Sequence, residues 1–244
     1  MRIWWLAAML AVCTLAACSG RGTFFRAYEY EEDMYLSLDG SATVYVNSSI
    51  PALNALRGTS FDVDPATEPD RDAVRAYFST AGAQVTRVTV SRRRNRRFVH
   101  VRMDVPSVER LSKTPPFAWS KYSFGRQGDL FAFKQEVGAP ARRPGASVEW
   151  EGDELVAFRL HLPSKIVYHN GGPGNPRRGN ILAWEQPLSS RLRGEPLVLD
   201  ARMATESILY RTLALFGVTF LAAAVFLAGL VWWVVRRGRR PAQV

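Results

Sequence analysis

Between residues 28 and 48 apolar side chains fall on alternate positions. Met34, Leu36 and Leu38 lead into Asp39-Gly40, and Val44 and Val46 lead out. A period of two marks a half-buried strand, and Asp-Gly between two such runs is a strong hairpin signal. The same alternation predicts a second hairpin over 84–105, with Val88 and Val90 on one arm and Val99, Val101, Met103 and Val105 on the other. A third covers 120–138, where Tyr122 and Phe124 face Phe131 and Phe133 across a glycine-containing turn. Shorter apolar runs predict strands at 148–150, 155–162, 166–169, 181–184 and 197–199, with a loop at 139–145.

Two stretches switch to a helical period. Residues 48–58 have serine before them, Pro51 near their start and Gly58 at their end, the expected helix punctuation. Residues 68–82 place Val74, Tyr77 and Phe78 on one face behind an acidic first turn. A third short helix is predicted at 106–112. The pattern as a whole is α+β: a mainly antiparallel sheet built from hairpins, with two or three short helices.

The ends of the chain follow other rules. Arg2 precedes an apolar run over 3–17 broken only by Thr14, the layout of a secretory signal and shorter than the ~20 residues of a membrane span. The last of these, Leu15-Ala16-Ala17-Cys18, resemble the lipobox of bacterial lipoproteins. That resemblance implies a lipid thioether on Cys18, cleavage before it, and acylation of the new amine, commonly by palmitate. The plainer alternative is an ordinary signal peptide with a chance cysteine. At the other end, residues 213–235 form a 23-residue run without charge. As a helix it would measure roughly 34 Å, enough for a ~30 Å hydrocarbon core. Trp232 and Trp233 sit where an aromatic belt belongs, and Arg236, Arg237, Arg239 and Arg240 follow. The positive-inside rule puts these arginines in the cytoplasm; a buried core helix is the alternative.

The expected organisation is a signal at 1–17, a lipidated tether at 18–24, an extracytoplasmic domain at 25–206, a juxtamembrane segment and transmembrane helix at 207–235, and a basic cytoplasmic tail at 236–244. The expected location is the outer side of a bacterial cytoplasmic membrane.

Charge and cysteine content narrow the chemistry. The formal charge is +10. With Arg2 and the four tail arginines set aside, 27 basic residues face 22 acidic ones, about +5. The two cysteines are Cys13 and Cys18. Neither stays a free thiol if the lipobox reading holds, so packing alone must stabilise the domain, and zinc–thiolate chemistry is excluded. No cofactor motif is present. His100, His161 and His169 lack metal-ligand spacing, and the acidic run Glu29, Glu31, Glu32 and Asp33 reads as a solvated face or a cation contact rather than a paired-carboxylate catalyst. The expectation is a protein without enzymatic activity.

Two features could bind. Arg92, Arg93, Arg94, Arg96 and Arg97 crowd one hairpin tip. They are either a solvated turn or a contact for anions, of which phosphate-bearing headgroups are nearest outside a membrane; nucleic acid is not expected there. Tyr122, Phe124, Phe131, Phe133, Phe158, Leu160 and Trp184 are either plain core or the lining of a lipid-sized apolar pocket.

Residues 160–187 resemble the later half of the LppM-like bacterial lipoprotein domain family. The matching features are Leu162-Pro163, Ile166-Val167, Asn170-Gly171 and Trp184, and the lipobox, the Asp39-Gly40 hairpin and the C-terminal helix fit as well. The sequence departs from that pattern at Ser164, where the family has glycine, and in a glycine-proline insert at 171–179. The resemblance implies an envelope-facing α+β domain that binds lipid or glycolipid and performs no catalysis. The leading expectation is therefore a tethered module engaging lipid, glycolipid or an anionic envelope polymer. The alternative is an accessory subunit docking a protein partner in the same membrane, and the third reading is an enzyme with an unrecognised site.

Overall fold

Ten strands assemble into two sheets in the computed structural model, which describes residues 26–141, 150–172, 175 and 179–238. Cys18 and the tail residues Arg239 and Arg240 lie outside the described residues, as does most of the expected strand at 148–150 and loop at 139–145. Trp150 is in no strand.

The larger sheet contains β1 (Ala27–Leu36), β2 (Ala42–Ser49), β3 (Gln84–Arg93), β4 (Arg96–Val105), β7 (Glu154–His161) and β9 (Ile181–Pro187), in the order β3-β4-β2-β1-β7-β9. All its pairs are antiparallel except β1 with β7. The smaller sheet is antiparallel throughout, ordered β5-β6-β10-β8, from β5 (Ser120–Gln127), β6 (Leu130–Val137), β8 (Ser164–His169) and β10 (Leu197–Ser207). The three predicted hairpins are β1–β2, β3–β4 and β5–β6. Gly40 turns the first at φ 82°, and a Cβ there would stand 3.2 Å from the Phe124 ring. Both the backbone angle and the close approach select glycine.

Both predicted helices form; the first has its predicted caps, and the second stops at Phe78, with Ser79 as its C-cap, short of the expected 82. In α1 (Ile50–Arg57) the Ser49 hydroxyl accepts the Ala52 N–H, and Gly58 ends the helix at φ 69°. In α2 (Arg71–Phe78) the Asp70 carboxylate accepts the N–H groups of Asp72 and Ala73. The third expected helix is realised as two 3₁₀ turns, Val108–Lys113 and Pro115–Phe117. A six-residue helix, α3 (Leu188–Arg193), was not expected; it is too short to show a period.

Alternation along the strands decides what is buried. Tyr30, Met34, Leu36, Val44, Val46, Val101 and Met103 from the larger sheet share one cluster with Phe133, Leu199, Ala201 and Met203 from the smaller, joined by Leu53 and Leu56 of α1 and Phe78 of α2. Each such large side chain contributes about 1.5–3 kcal/mol on burial, so this cluster holds the fold without disulfides.

Strand β10 continues past its predicted end at 199 to Ser207 and passes directly into α4 (Ile208–Gly238). The Ile208 N–H donates to the Pro163 carbonyl at 3.1 Å, tying the helix to the domain just beyond β7. Ile208–Arg237 is long and apolar enough to cross a membrane, with mean hydropathy 2.4 and none of its most apolar stretch buried.

Candidate functional site

The outward face of the larger sheet is where register collects polar and aromatic groups. Directly paired residues on neighbouring strands share a face, so the pairings define cross-strand rows. One row reads His161, Tyr35, Thr43, Asp104, Gln84. The next reads Arg159, Asp33, Tyr45, Arg102, Arg87, and a third reads Ala157, Glu31, Asn47, His100, Thr89. Tyr35 is 45 % exposed. Its ring stacks on His161 at 3.8 Å and meets Tyr45 edge-on at 5.5 Å. The Arg102 guanidinium lies 5.7 Å from the Tyr45 ring centre.

Two depressions open on this face and share Arg102. One, of about 610 Å³, is bounded by Tyr35, Ser37, Ser41, Thr43, Gln84 and Asp104. The other, of about 340 Å³, is bounded by Tyr45, Arg87, Thr89 and His100. The three rows carry three arginines and three carboxylates, interleaved with uncharged donors and acceptors. Arg159 bridges Glu31 at 2.7 Å and Asp33 at 3.3 Å, and burial, offset by these carboxylates, leaves it above its ordinary range. Such a surface offers hydrogen bonds of both kinds around exposed rings and has no net charge to select an ion.

The first row is also the row nearest α4. His161 is followed by Leu162 and Pro163, whose carbonyl receives the Ile208 N–H. The Arg-rich tip of β3–β4 lies at the opposite end of the same strands. Between Asp104 and Arg96 the chain rises roughly 26 Å at ~3.3 Å per residue.

The expected arginine cluster is engaged within the fold. Arg94 and Asn95 take positive φ and close a two-residue turn. Arg92 donates to Asn95, Arg93 donates to the Tyr28 carbonyl and covers the Phe98 ring, and Arg97 donates to the carbonyls of Pro65 and Ala66. Arg96 joins two buried carboxylates, Glu29 at 2.9 Å and Glu154 at 3.3 Å. Arg94 approaches Asp153 at 3.8 Å. These contacts fasten the turn to β1 and to the loop before β7.

The expected apolar lining divides in two. Tyr122, Phe133, Phe158, Leu160 and Trp184 are buried in the common core. Phe124 and Phe131 stack at 5.3 Å on its margin. Trp184 donates to Asn170, which also accepts the Asp200 N–H and donates to the Val198 carbonyl. The Asn-Gly turn is thereby a clamp between the two sheets.

No family model and no curated protein matches this sequence. Among solved structures, the NMR structure of the folded domain of the Mycobacterium tuberculosis protein LppM aligns at 14% identity. The alignment covers 76% of this chain and 95% of that one, with a TM-score of 0.39. That degree of likeness assigns neither family nor function.

One feature escaped the sequence reading. The acidic run was expected on a solvated face or at a cation, yet Glu29 and Glu32 are buried. Glu32 sits at the middle of a polar cluster inside the core. It accepts hydrogen bonds from Arg57 (3.1 Å), Tyr30 (3.0 Å), Tyr122 (2.9 Å) and Gln135 (3.0 Å). Arg57 also contacts the Tyr30 hydroxyl and lies 3.7 Å from the Trp119 ring centre. Burial, reinforced by the Glu32 charge, pushes the Tyr122 hydroxyl well above its ordinary value, so it remains a donor. The alternation Tyr30, Glu32, Met34, Leu36 would have revealed the inward position of Glu32, since a period of two allows it no other face.

The outward face also carries a pH response. His100 is held between Asn47 (2.9 Å) and Ser91 (2.8 Å). Burial first, and then the Arg93 charge, lower its pKa below the ordinary value; burial and Arg159 do the same to His161. Each imidazole therefore charges more readily in the unfolded chain. Its neutral form stabilises the fold fully above the unfolded pKa of about 6.5, and the stabilisation is lost as pH falls from there through the lowered folded value. Thermal melts below pH 6.5 should show a falling midpoint, and the His100→Asn, His161→Phe double variant should flatten that slope. An unchanged slope would refute the assignment.

Proposed function

We propose that this protein is a membrane-anchored, non-catalytic binding module of the bacterial envelope. In this reading it engages a hydroxyl-rich headgroup, such as that of a glycolipid, on the outward face of its larger sheet. The observation that supports it is the position of the ring cluster. Tyr35, His161 and Tyr45 stand on the sheet rim beside the root of α4, among balanced arginines and carboxylates. A sugar ring presents a flat C–H face and a girdle of hydroxyls, which such rings and alternating donors and acceptors match. An anionic polymer would call for an excess of arginine, and the Arg-rich tip stands at the far end from α4.

Anchoring follows the expected organisation: signal 1–17, tether 18–24, domain 25–206, and a helix whose arginine-rich end lies in the cytoplasm. No flexible linker separates domain and helix, so the rim is held at headgroup height. Strand β1 begins at the end opposite α4. A lipid on Cys18 must reach back along the sheet. Nine residues to Ala27 extend at most about 32 Å, close to the ~33 Å length of a ten-residue strand. The two anchors would restrain the sheet from both ends.

The test is retention of glycolipid by full-length protein in nanodiscs, read by native mass spectrometry with a dihexosyl diacylglycerol against phosphatidylglycerol. Wild type should retain the glycolipid selectively. Tyr35→Ala and Arg102→Ala, both at exposed positions, should weaken retention roughly tenfold each without moving the melting midpoint by more than a degree or two. Equal retention of both lipids, or indifference to these variants, would overturn the proposal. The second reading, a partner-docking subunit, is favoured by one observation: Val167 and Tyr168 are 56% and 47% exposed on the edge strand β8. A stoichiometric polypeptide retained in place of glycolipid would decide for it.

A further inference from the structure

We infer that the depression between Arg87 and Arg102 is a binding site for a phosphate monoester group, separate from the ring cluster at the sheet rim. The outward face is neutral in sum, but its charges are not evenly placed. Glu31 and Asp33 are both taken by Arg159. Asp104, in the row nearest α4, accepts from the Thr43 hydroxyl at 3.2 Å. Arg87 and Arg102 remain towards the β3 edge, and neither has a carboxylate partner among the described residues. The Arg102 guanidinium meets only the Tyr45 ring, and that of Arg87 makes no hydrogen bond among the described residues.

An irregularity in the strands sets these two side chains against each other. Val85 pairs with Met103 and Arg87 pairs with Arg102, so Thr86 is the extra residue of a β-bulge. Val85 and Val88 are buried, whereas Thr86 and Arg87 between them are both exposed. The Thr86 hydroxyl donates to the Arg102 carbonyl at 3.2 Å, which fixes the bulge. Bulges re-aim side chains, and they concentrate at sheet edges and beside functional sites. Directly opposed residues stand about 4.5–5.5 Å apart at Cβ, and like charges there are unfavourable. An anion bridging the two guanidinium groups would turn that repulsion into attraction.

The depression measures about 340 Å³, and Tyr45, Thr89, His100 and Val101 complete its wall. The Tyr45 and Thr89 hydroxyls have no hydrogen-bond partner among the described residues and can act as further donors. Both ring nitrogens of His100 are already committed, to Asn47 and Ser91, so His100 is a wall and not an anchor. Guanidinium forks suit phosphate oxygens, which they hold bidentately. A phosphate monoester carries close to two negative charges at neutral pH and so matches both arginines. A carboxylate or a phosphodiester brings one. The organic part of the ester would lie beside the Tyr45 ring.

The test uses the full-length chain in phosphatidylcholine nanodiscs, titrated calorimetrically at pH 7.5 with glycerol 3-phosphate, with dimethyl phosphate and with glycerol. Glycerol 3-phosphate should bind saturably at one site; dimethyl phosphate should bind about tenfold more weakly and glycerol not at all. Arg87→Gln and Arg102→Gln should each weaken glycerol 3-phosphate by about tenfold or more. Without ligand, Arg87→Gln should leave the melting midpoint level or slightly raised, because it removes one of two opposed like charges. Arg92→Gln, which removes the same charge from the tip of the same hairpin, should leave affinity unchanged. No binding, equal affinity for dimethyl phosphate, or an equal loss in Arg92→Gln would each overturn the site. Phosphatidic acid added to the nanodiscs distinguishes the source of the group: competition with glycerol 3-phosphate upholds the site and assigns it to a membrane lipid, while binding without competition upholds it and assigns a soluble ester. Arg87→Gln should leave glycolipid retention unchanged, so the site and the headgroup reading stand or fall separately.

Discussion

Replacing Glu32 by glutamine is expected to destabilise the domain by about 3–5 kcal/mol, the usual cost of removing one partner from a buried ion pair. The substitution keeps shape and hydrogen-bonding length. It removes the charge that compensates Arg57, whose side chain is as buried as that of Glu32 itself, both 1% exposed. It also turns one of the two acceptor oxygens into an N–H donor, so either Tyr30 on Oε2 or Tyr122 and Gln135 on Oε1 lose their acceptor. Since whole domains are stable by about 5–15 kcal/mol, roughly a fifth or more of the margin would go. The melting midpoint should fall by roughly 6–20 °C for a domain of this size. The decisive control is the double change Glu32→Leu, Arg57→Met. If uncompensated charge is the cause, the apolar pair should recover most of the loss despite removing more polar contacts, because well-packed apolar replacements of buried ion pairs are often neutral or better. Additive losses in the double variant would mean that packing geometry, not charge, sets the cost.

How much of this was legible from the residues varies with the length of the interaction. The three hairpins and both capped helices were readable because alternation, Asp39-Gly40, Ser49, Pro51 and Gly58 act within a few residues. Strand pairing across the chain was not readable. The parallel union of β1 with β7 joins segments more than a hundred residues apart, and nothing local marks it. That union creates the outward rows, placing His161 against Tyr35 and Arg159 against Glu31 and Asp33. The ring cluster was thus hidden until the topology was known. The arginine cluster shows the converse. Charge density is visible in one dimension, whereas the carboxylates and carbonyls that absorb it, Glu29, Glu154, Tyr28, Pro65 and Ala66, come from elsewhere in the chain. The aromatic alternation at Phe131 and Phe133 could not separate a pocket from a core, since both need an apolar face.

Membrane attachment should survive the loss of either anchor and vanish with the loss of both. Ending the chain at Ser207 removes α4. Exchanging residues 1–18 for a signal peptide with an ordinary cleavage site removes the proposed lipid. A simple Cys18→Ser change would be ambiguous, because an unprocessed signal could itself hold the chain in the bilayer. Each single alteration should leave the domain in the alkali-resistant membrane fraction. On the proposed reading two or three acyl chains bury enough CH₂ groups, at ~0.8 kcal/mol each, for firm anchoring, and a helix long and apolar enough to cross a bilayer, with mean hydropathy 2.4, would hold the chain without them. The combined alteration should release the domain folded, since its core draws on no residue of α4. Release on removal of α4 alone would exclude the lipid; retention of the combined variant would reveal a third attachment, for which the exposed Val167 and Tyr168 of β8 are the first suspects. The two single alterations should also differ from each other. On the proposed reading the helix sets the height of the Tyr35 rim because β10 runs directly into α4, whereas a lipid on Cys18 would act only through the residues that precede β1. Glycolipid retention should therefore collapse without α4 while attachment persists, and should fall only partly without the lipid. If both alterations reduce retention equally, proximity to the bilayer is enough and the direct strand-to-helix junction has no role in recognition.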